Sequence, residues 1–334
     1  MSESVKRILI IVCAAVLIAA VLYSLRDVFA FAGYSYEHAD RYQAGGSEIA
    51  GTVRNLDIGW INGKVRLAYR SGTAVSLSET SDRPISGDMQ LRWWLDGDTL
   101  RIRYAKAGFR QMMLSTQRKE LTVTLPEGAA LGDVAVSATS ADLEIPSLQA
   151  ESLSLTTTSG NVIAAAAAGQ IRCTSTSGDL VLTVPEDARE ILTTSTSGSV
   201  RIEAQAAERL KAVSTSGNIS VTAGRTGTLE MTSTSGRLEA KAEALSAGKL
   251  TSTSGGITVN TSAVDQLSVS STSGSVTAFL PETPGFAARV KTTSGRFDYS
   301  LPLTRSGSDY VCGDGSGSVS ISTTSGDVRI DAAR

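Results

Sequence analysis

The residue types that usually move protons, attack electrophiles or hold metals are few and scattered in this 334-residue chain. Histidine, the commonest general base, occurs once, at His38. Of the three cysteines, Cys13 lies in an apolar N-terminal run, and Cys173 and Cys312 lie in distant segments. A disulfide needs its Cα atoms within about 7 Å, so structural thiols are expected. Polysaccharide cleavage needs carboxylates that share one groove, and the acids here fall in unrelated positions. Asp314 stands among glycines as in calcium-binding nonapeptides, but acids do not recur in register. No catalytic residue, cofactor site or metal site is assigned, and no cofactor is expected. With 31 Lys and Arg against 33 Asp and Glu, the formal charge is −2, which gives no pull toward nucleic acid.

What does recur is Thr-Ser-Gly. Its glycine falls at Gly160, Gly178, Gly198, Gly217, Gly236, Gly255, Gly274, Gly295 and Gly326, a period of about 20 residues that marks stacked units. Mostly apolar residues sit seven and five positions before the glycine (Leu229 and Met231) and two and four after it (Ile219 and Val221). Alternation of this kind predicts two short strands per repeat joined by a bend, with glycine supplying the φ of the bend. Gly256 doubles one bend. Serines three and one before the glycine, such as Ser233 and Ser235, should form internal polar columns. The threonine two before it points outward: Thr158, Thr176, Thr196, Thr215, Thr234, Thr253, Thr272, Thr293 and Thr324. The fold class is therefore all-β: a parallel β-solenoid of about 19–20 residues per rung, right-handed by the usual crossover rule. Val184-Pro185 and Leu280-Pro281 end strands before longer loops.

The rest of the chain divides by composition. Residues 1–7 are a short cytoplasmic tail. Ile8 to Leu25 is uncharged and just long enough to span a bilayer as a signal anchor. Lys6 and Arg7 before it keep the N-terminus inside and the repeats outside. A cleaved signal peptide ending near Ala30-Phe31-Ala32 is the competing reading. Residues 26–47 read as a juxtamembrane tether, residues 48–128 as a β region capping the stack, and residues 129–334 as the solenoid. In the cap region, Val53 to Ile61 and Val65 to Tyr69 alternate as strands around a tight turn at Asn62-Gly63, and Asp96-Gly97-Asp98 marks another turn. Trp60, Trp93 and Trp94 are expected to shield the first rung's edge. Arg101, Arg103, Lys106, Arg110, Arg118 and Lys119 read as a solvated face.

Leu56-Asp57-Ile58-Gly59-Trp60, Trp94 to Leu100, Lys119 to Pro126, the Thr-Ser-Gly rungs and Ile321 to Ile330 occur in an order that resembles the bacterial putative-adhesin family with β-strand repeats. The resemblance runs from about Tyr34 to Ile330. It implies a β-solenoid at the cell surface, and it implies no catalytic residues. The expected function is a membrane-anchored surface binding or structural module, a non-enzyme whose partner is a surface protein or glycan. The alternative is an envelope-stress or signalling accessory acting with a membrane partner. An ice-binding face and a polysaccharide-active enzyme rank below both.

Overall fold

The computed structural model describes residues 34–108 and 117–333. The expected membrane helix, Cys13 and Arg110 lie outside the described residues. Among the described residues no helix is long and apolar enough to cross a membrane. These residues are all-β apart from one 3-10 turn, Ala39–Arg41. The chain divides into two compact units, Met1–Ala164 with Cys173–Asp179, and Ala165–Arg172 with Leu180–Arg334.

The first unit is organised by one strand, Asn55–Arg70. Sequence pattern predicts two strands and a tight turn here, but one unbroken strand passes through Asn62-Gly63, with Gly63 at φ 109. Its inward parity slips at Trp60 and Ile61, both buried. This strand pairs in parallel with Thr99–Arg103, Lys119–Pro126 and Ala130–Ile145. It is therefore a rung of the stack, and most of residues 55–126 extend the coil. The covering layer consists of two antiparallel strands. Val75–Ser81 lies along Lys119–Pro126, and Arg92–Asp96 turns back on Thr99–Arg103 through Gly97, at φ 63. Residues 34–47 pack onto this unit as well. The Tyr104 N–H donates to the Tyr34 hydroxyl (2.9 Å), and the Tyr36 hydroxyl donates to the Ala105 carbonyl (3.1 Å).

Trp60 and Trp93 are core residues, while Trp94 is half-buried. Lys119, expected on a solvated face, is fully buried with its Glu79 partner. Its inward parity with Leu121, Val123 and Leu125 carries the ammonium inside. The ammonium donates to Glu79, to the Met89 carbonyl and to the Tyr104 carbonyl. It also faces the Trp60 and Tyr104 rings at 5.0 and 4.0 Å. Burial pulls its pKa down to about 8, against the upward pull of Glu79. All three ammonium protons are used, so one side chain ties four segments together.

The second unit repeats a simpler plan. Val200–Ser214, Ile219–Ser233, Leu238–Ser252 and Ile257–Ser271 are single 15-residue strands, each in parallel register with the next. Each strand joins the two short strands expected on either side of neighbouring bends. Buried positions step by two along both arms and by three in the middle, as at Ile219, Val221, Ala223, Thr226, Leu229, Met231 and Ser233. The three-residue steps turn the strand so that both arms face one core. Leu180–Ser195 is one residue longer and runs through Pro185; the extra residue is absorbed by a bulge between Val184 and Asp187. Pro185 therefore sits within a strand, where the sequence suggests a strand end.

Rung order departs from chain order at the C-terminal end. Gly317–Thr323 pairs with Ile257–Ser271 on one side and Gly285–Thr292 on the other. Val328–Ala332 likewise lies between Val276–Leu280 and Phe297–Tyr299. The last strands of the chain are thus inserted beneath a rung that precedes them in sequence.

Two stability changes follow. Lys119→Met leaves Glu79 buried without its cation and should cost about 3–5 kcal/mol; adding Glu79→Leu should recover most of this in urea unfolding. Thr226 is 3% exposed, and its hydroxyl has no partner among the described residues. Thr226→Val should therefore stabilise by about 1 kcal/mol, read as a raised midpoint.

Candidate binding face

The corner of each rung is made by Thr-Ser-Gly, between the last residue of one strand and the first of the next. The residue three before each glycine is buried in the inner rungs and, except at Ser195, whose hydroxyl has no partner among the described residues, closes the turn. Its hydroxyl accepts the glycine N–H: Ser175 for Gly178, Ser214 for Gly217, Ser233 for Gly236, Ser252 for Gly255 and Ser271 for Gly274, at 2.8–2.9 Å. Threonine does the same at Thr157 for Gly160, Thr292 for Gly295 and Thr323 for Gly326.

The glycine is required for a reason other than the one its position suggests. None of the marker glycines has a φ in the left-handed region. What excludes a side chain is the rung beneath. A Cβ on Gly217 would lie 2.0 Å from the Gly198 carbonyl oxygen, and one on Gly236 would lie 1.9 Å from that of Gly217. The same relation places Gly255 on Gly236, Gly274 on Gly255, Gly326 on Gly274 and Gly295 on Gly326. In the first unit it places Gly178 on Gly160 and Gly160 on Ala141. The corners are therefore vertically aligned within each unit. Gly256 has only an ordinary 3.6 Å contact and is not demanded by packing.

Sequence reading missed three corner positions in the first unit. Ala141 pairs with Gly63, and Gly63 with Lys119, so all three lie in the glycine column. A faint signal existed: Leu143 and Ile145 follow Ala141 by two and four residues, as Leu121 and Val123 follow Lys119. A second capping column was also missed. Side-chain oxygens just after the corner accept the N–H of the equivalent residue one rung on: Asp142 from Asn161, Asn161 from Asp179, Asn218 from Arg237, and Asp327 from Arg296.

The outward groups differ from expectation in one respect. The serine just before each glycine, expected inside, is exposed: Ser197, Ser216, Ser235, Ser254, Ser273, Ser294 and Ser325 in the second unit. The threonine two before, expected outward, is half-buried at Thr158, Thr176, Thr196, Thr215, Thr234, Thr253, Thr272 and Thr324, and exposed only at Thr293. At Thr158 and Thr176 the hydroxyl is enclosed with no partner among the described residues. At the corner the chain turns, so the two-residue parity that holds along a strand does not carry through it. The result is a ladder of serine hydroxyls repeating about every 4.8 Å. On the arm preceding the corner, an open trough of about 540 Å3 lies between Thr228, Lys249, Gln266, Ser268, Ser318 and Ser320. Lys211 pairs with Glu230 (3.1 Å), whereas Lys249 has no ion pair among the described residues.

In the first unit a separate cluster surrounds Asp57, which binds Arg101 and Arg103 at 2.8 Å. Arg41 and Arg101 lie over Trp94, at 5.2 and 5.9 Å from its ring centre, and His38 meets the Trp94 ring edge-on. Arg101 and Arg103 are neutralised in place by Asp57 and Asp96, and Arg41, His38 and Trp94 fasten residues 34–47 to the unit. Cys173 and Cys312 are buried and free. Burial pushes the Cys173 thiol up to about 12. Among the described residues no group of three or more His, Cys, Asp or Glu could hold a metal ion.

Residues 53–331 match the family model described as Toastrack DUF4097. The chain matches no curated protein. It is similar to the crystal structure of a putative cell adhesion protein from Clostridium sporogenes, at 12% identity over 87% of this chain and 99% of that one, with a TM-score of 0.21. It is also similar to that of a putative adhesin from Bacteroides fragilis, at 12% identity over 87% of this chain and 97% of that one, with a TM-score of 0.33.

Corner substitutions separate the two roles. Ser233→Ala removes the acceptor of the Gly236 N–H and should cost about 1–2 kcal/mol. Gly236→Ala drives a methyl into a backbone carbonyl and should cost more. Gly256→Ala should be near neutral. Thermal unfolding of the three variants tests that order.

Proposed function

We propose, on the premise that the chain belongs to the Toastrack DUF4097 family, that it is a surface-displayed binding module with no reaction of its own. The apolar run Ile8 to Leu25 anchors it as a single membrane span with the N-terminus inside, and the right-handed β-coil lies outside the cell. Its partner is a surface glycan or protein.

The observation that carries this reading is the serine ladder. Burial and capping account for the serine three before each glycine and for the glycine itself. They do not account for the serine just before the glycine, which is exposed in every rung. A hydroxyl repeated at rung spacing, beside a polar trough, offers a periodic set of donors and acceptors. Such a surface suits an extended partner with its own repeating polar groups. Flat, uncharged recognition of this kind also agrees with the near-zero net charge.

Protease treatment of intact cells should release the repeat region if it is displayed. Purified full-length chain should bind isolated envelopes, and Ser216→Lys, Ser235→Lys and Ser254→Lys together should reduce that binding at least tenfold without loss of fold. Protection from protease in intact cells, or envelope binding unchanged in the triple variant, would sink the reading.

A further inference from the structure

The second unit ends in an edge that is only half covered. Gly285–Thr292 has a strand on its outer side only from Gly285 to Ala288, where the hairpin strand Asp309–Gly313 pairs antiparallel. Among the described residues, that strand from Arg289 onward has Gly317–Thr323 alone as neighbour, and Phe297–Tyr299 has only Val328–Ala332. Gly295 stacks on Gly326, and among the described residues no further corner follows it.

Interior positions are consequently open here. Val290 pairs with Ile321, Phe297 with Val328 and Tyr299 with Ile330. Those three neighbours are at most 1% exposed. Val290 and Phe297 are half-buried, and Tyr299 is 48% exposed. Tyr310 reaches over from the hairpin and contacts Phe297 and Tyr299, at 4.9 and 6.1 Å between ring centres, but leaves the tyrosine open. An uncovered strand edge with apolar inward residues is a template for pairing. The first unit meets the same problem with an antiparallel strand, Val75–Ser81, laid along its last parallel strand.

We propose that a second copy of this chain covers this edge, head to head, about a two-fold axis at the Ser294–Gly295 corner. The two arms flanking the corner then exchange places. Residues 290–292 run antiparallel to the partner's 297–299, and the reverse pairing follows by symmetry. In this register the parities match. Val290 meets the partner's Tyr299 and Thr292 meets the partner's Phe297 on the inner face. On the outer face Lys291 meets the partner's Asp298. Arg289 is already held by Asp309, at 2.7 and 3.0 Å. Lys291 has no ion pair among the described residues, and neither has Asp298: Arg329, its neighbour across the strand pair, is bonded to Asp331 at 2.6 Å and acts on Asp298 only through space. The charges left over on the edge are therefore complementary across the axis, and each occurs twice. The inference does not rest on the surface-binding reading.

Charge exchange tests it. Full-length chain in detergent micelles should be dimeric by light scattering corrected for bound detergent. K291D sets two carboxylates against each other twice, and D298K does the same with two ammonium groups. Each should weaken the dimer at least tenfold, and K291D/D298K should restore it. Both side chains project from an exposed edge, so circular dichroism should be unchanged in all three variants. A chain that is monomeric at high micromolar concentration overturns the proposal. So does a dimer indifferent to both single changes, or single-change losses that the double variant fails to reverse.

Discussion

At each corner a glycine lies against the carbonyl oxygen of the corner beneath. No side chain fits between them, at 1.8–2.2 Å from where a Cβ would be. Everything else in the coil follows from that contact. It brings the strands into exact register, so that Val200 meets Ile219, Ile219 meets Leu238 and Leu238 meets Ile257. It allows a hydroxyl three residues upstream to reach the corner N–H at eight of the nine marker glycines, Gly198 being the exception. The interior can then be built from small and medium side chains, with aromatics at only 5% of the chain. Burying a large area of aliphatic surface per rung is unnecessary when the next rung supplies the same surface again.

A coil built this way has a difficulty only at its ends, and that is where the unusual residues gather. In the first unit the ending takes a buried Lys–Glu pair, two core tryptophans and two antiparallel strands. A buried ion pair is weak evidence of stability in itself. Its value here is geometric, because Lys119 can satisfy its three protons only if the strand carrying Glu79, the turn carrying Met89 and the bend at Tyr104 are all in the right places. In the second unit the ending takes a short hairpin and an aromatic trio, Phe297, Tyr299 and Tyr310. The repeats are nearly interchangeable, whereas the endings are individual.

That division also explains which features could be read in advance. The glycine period and the alternation around it were sufficient for an all-β parallel coil, because stacking requires the same residue types at the same places in every copy. Along the arms of each strand the two-residue parity was reliable, as Leu238, Ala240 and Ala242 show, and it broke at the mid-strand steps of three. It failed at the corner, where the chain turns within three residues, so Ser235 and Thr234 exchanged their expected exposures. Lys119 was misplaced because its charge outweighed its parity in the reading, although the parity was the better guide. Rung order at the C-terminal end was not legible. Gly274, Gly295 and Gly326 carry one motif, and a motif repeated identically holds no information on which copy lies beside which. The longer step before Gly326 was the sole sign of a detour.

The inserted C-terminal strands carry a consequence for synthesis. A ribosome delivers residues 285–299 before residues 317–332, yet the later segment occupies the place directly above Ile257–Leu280. Growth of the coil from its first rung can therefore proceed vectorially only as far as that point. The emerging 285–299 segment must wait unseated, or leave a temporary position, until residues 317–332 have left the ribosome and can slide in as a keystone. A nascent chain stalled a few dozen codons short would hold a nearly finished coil with its final layer unlocked.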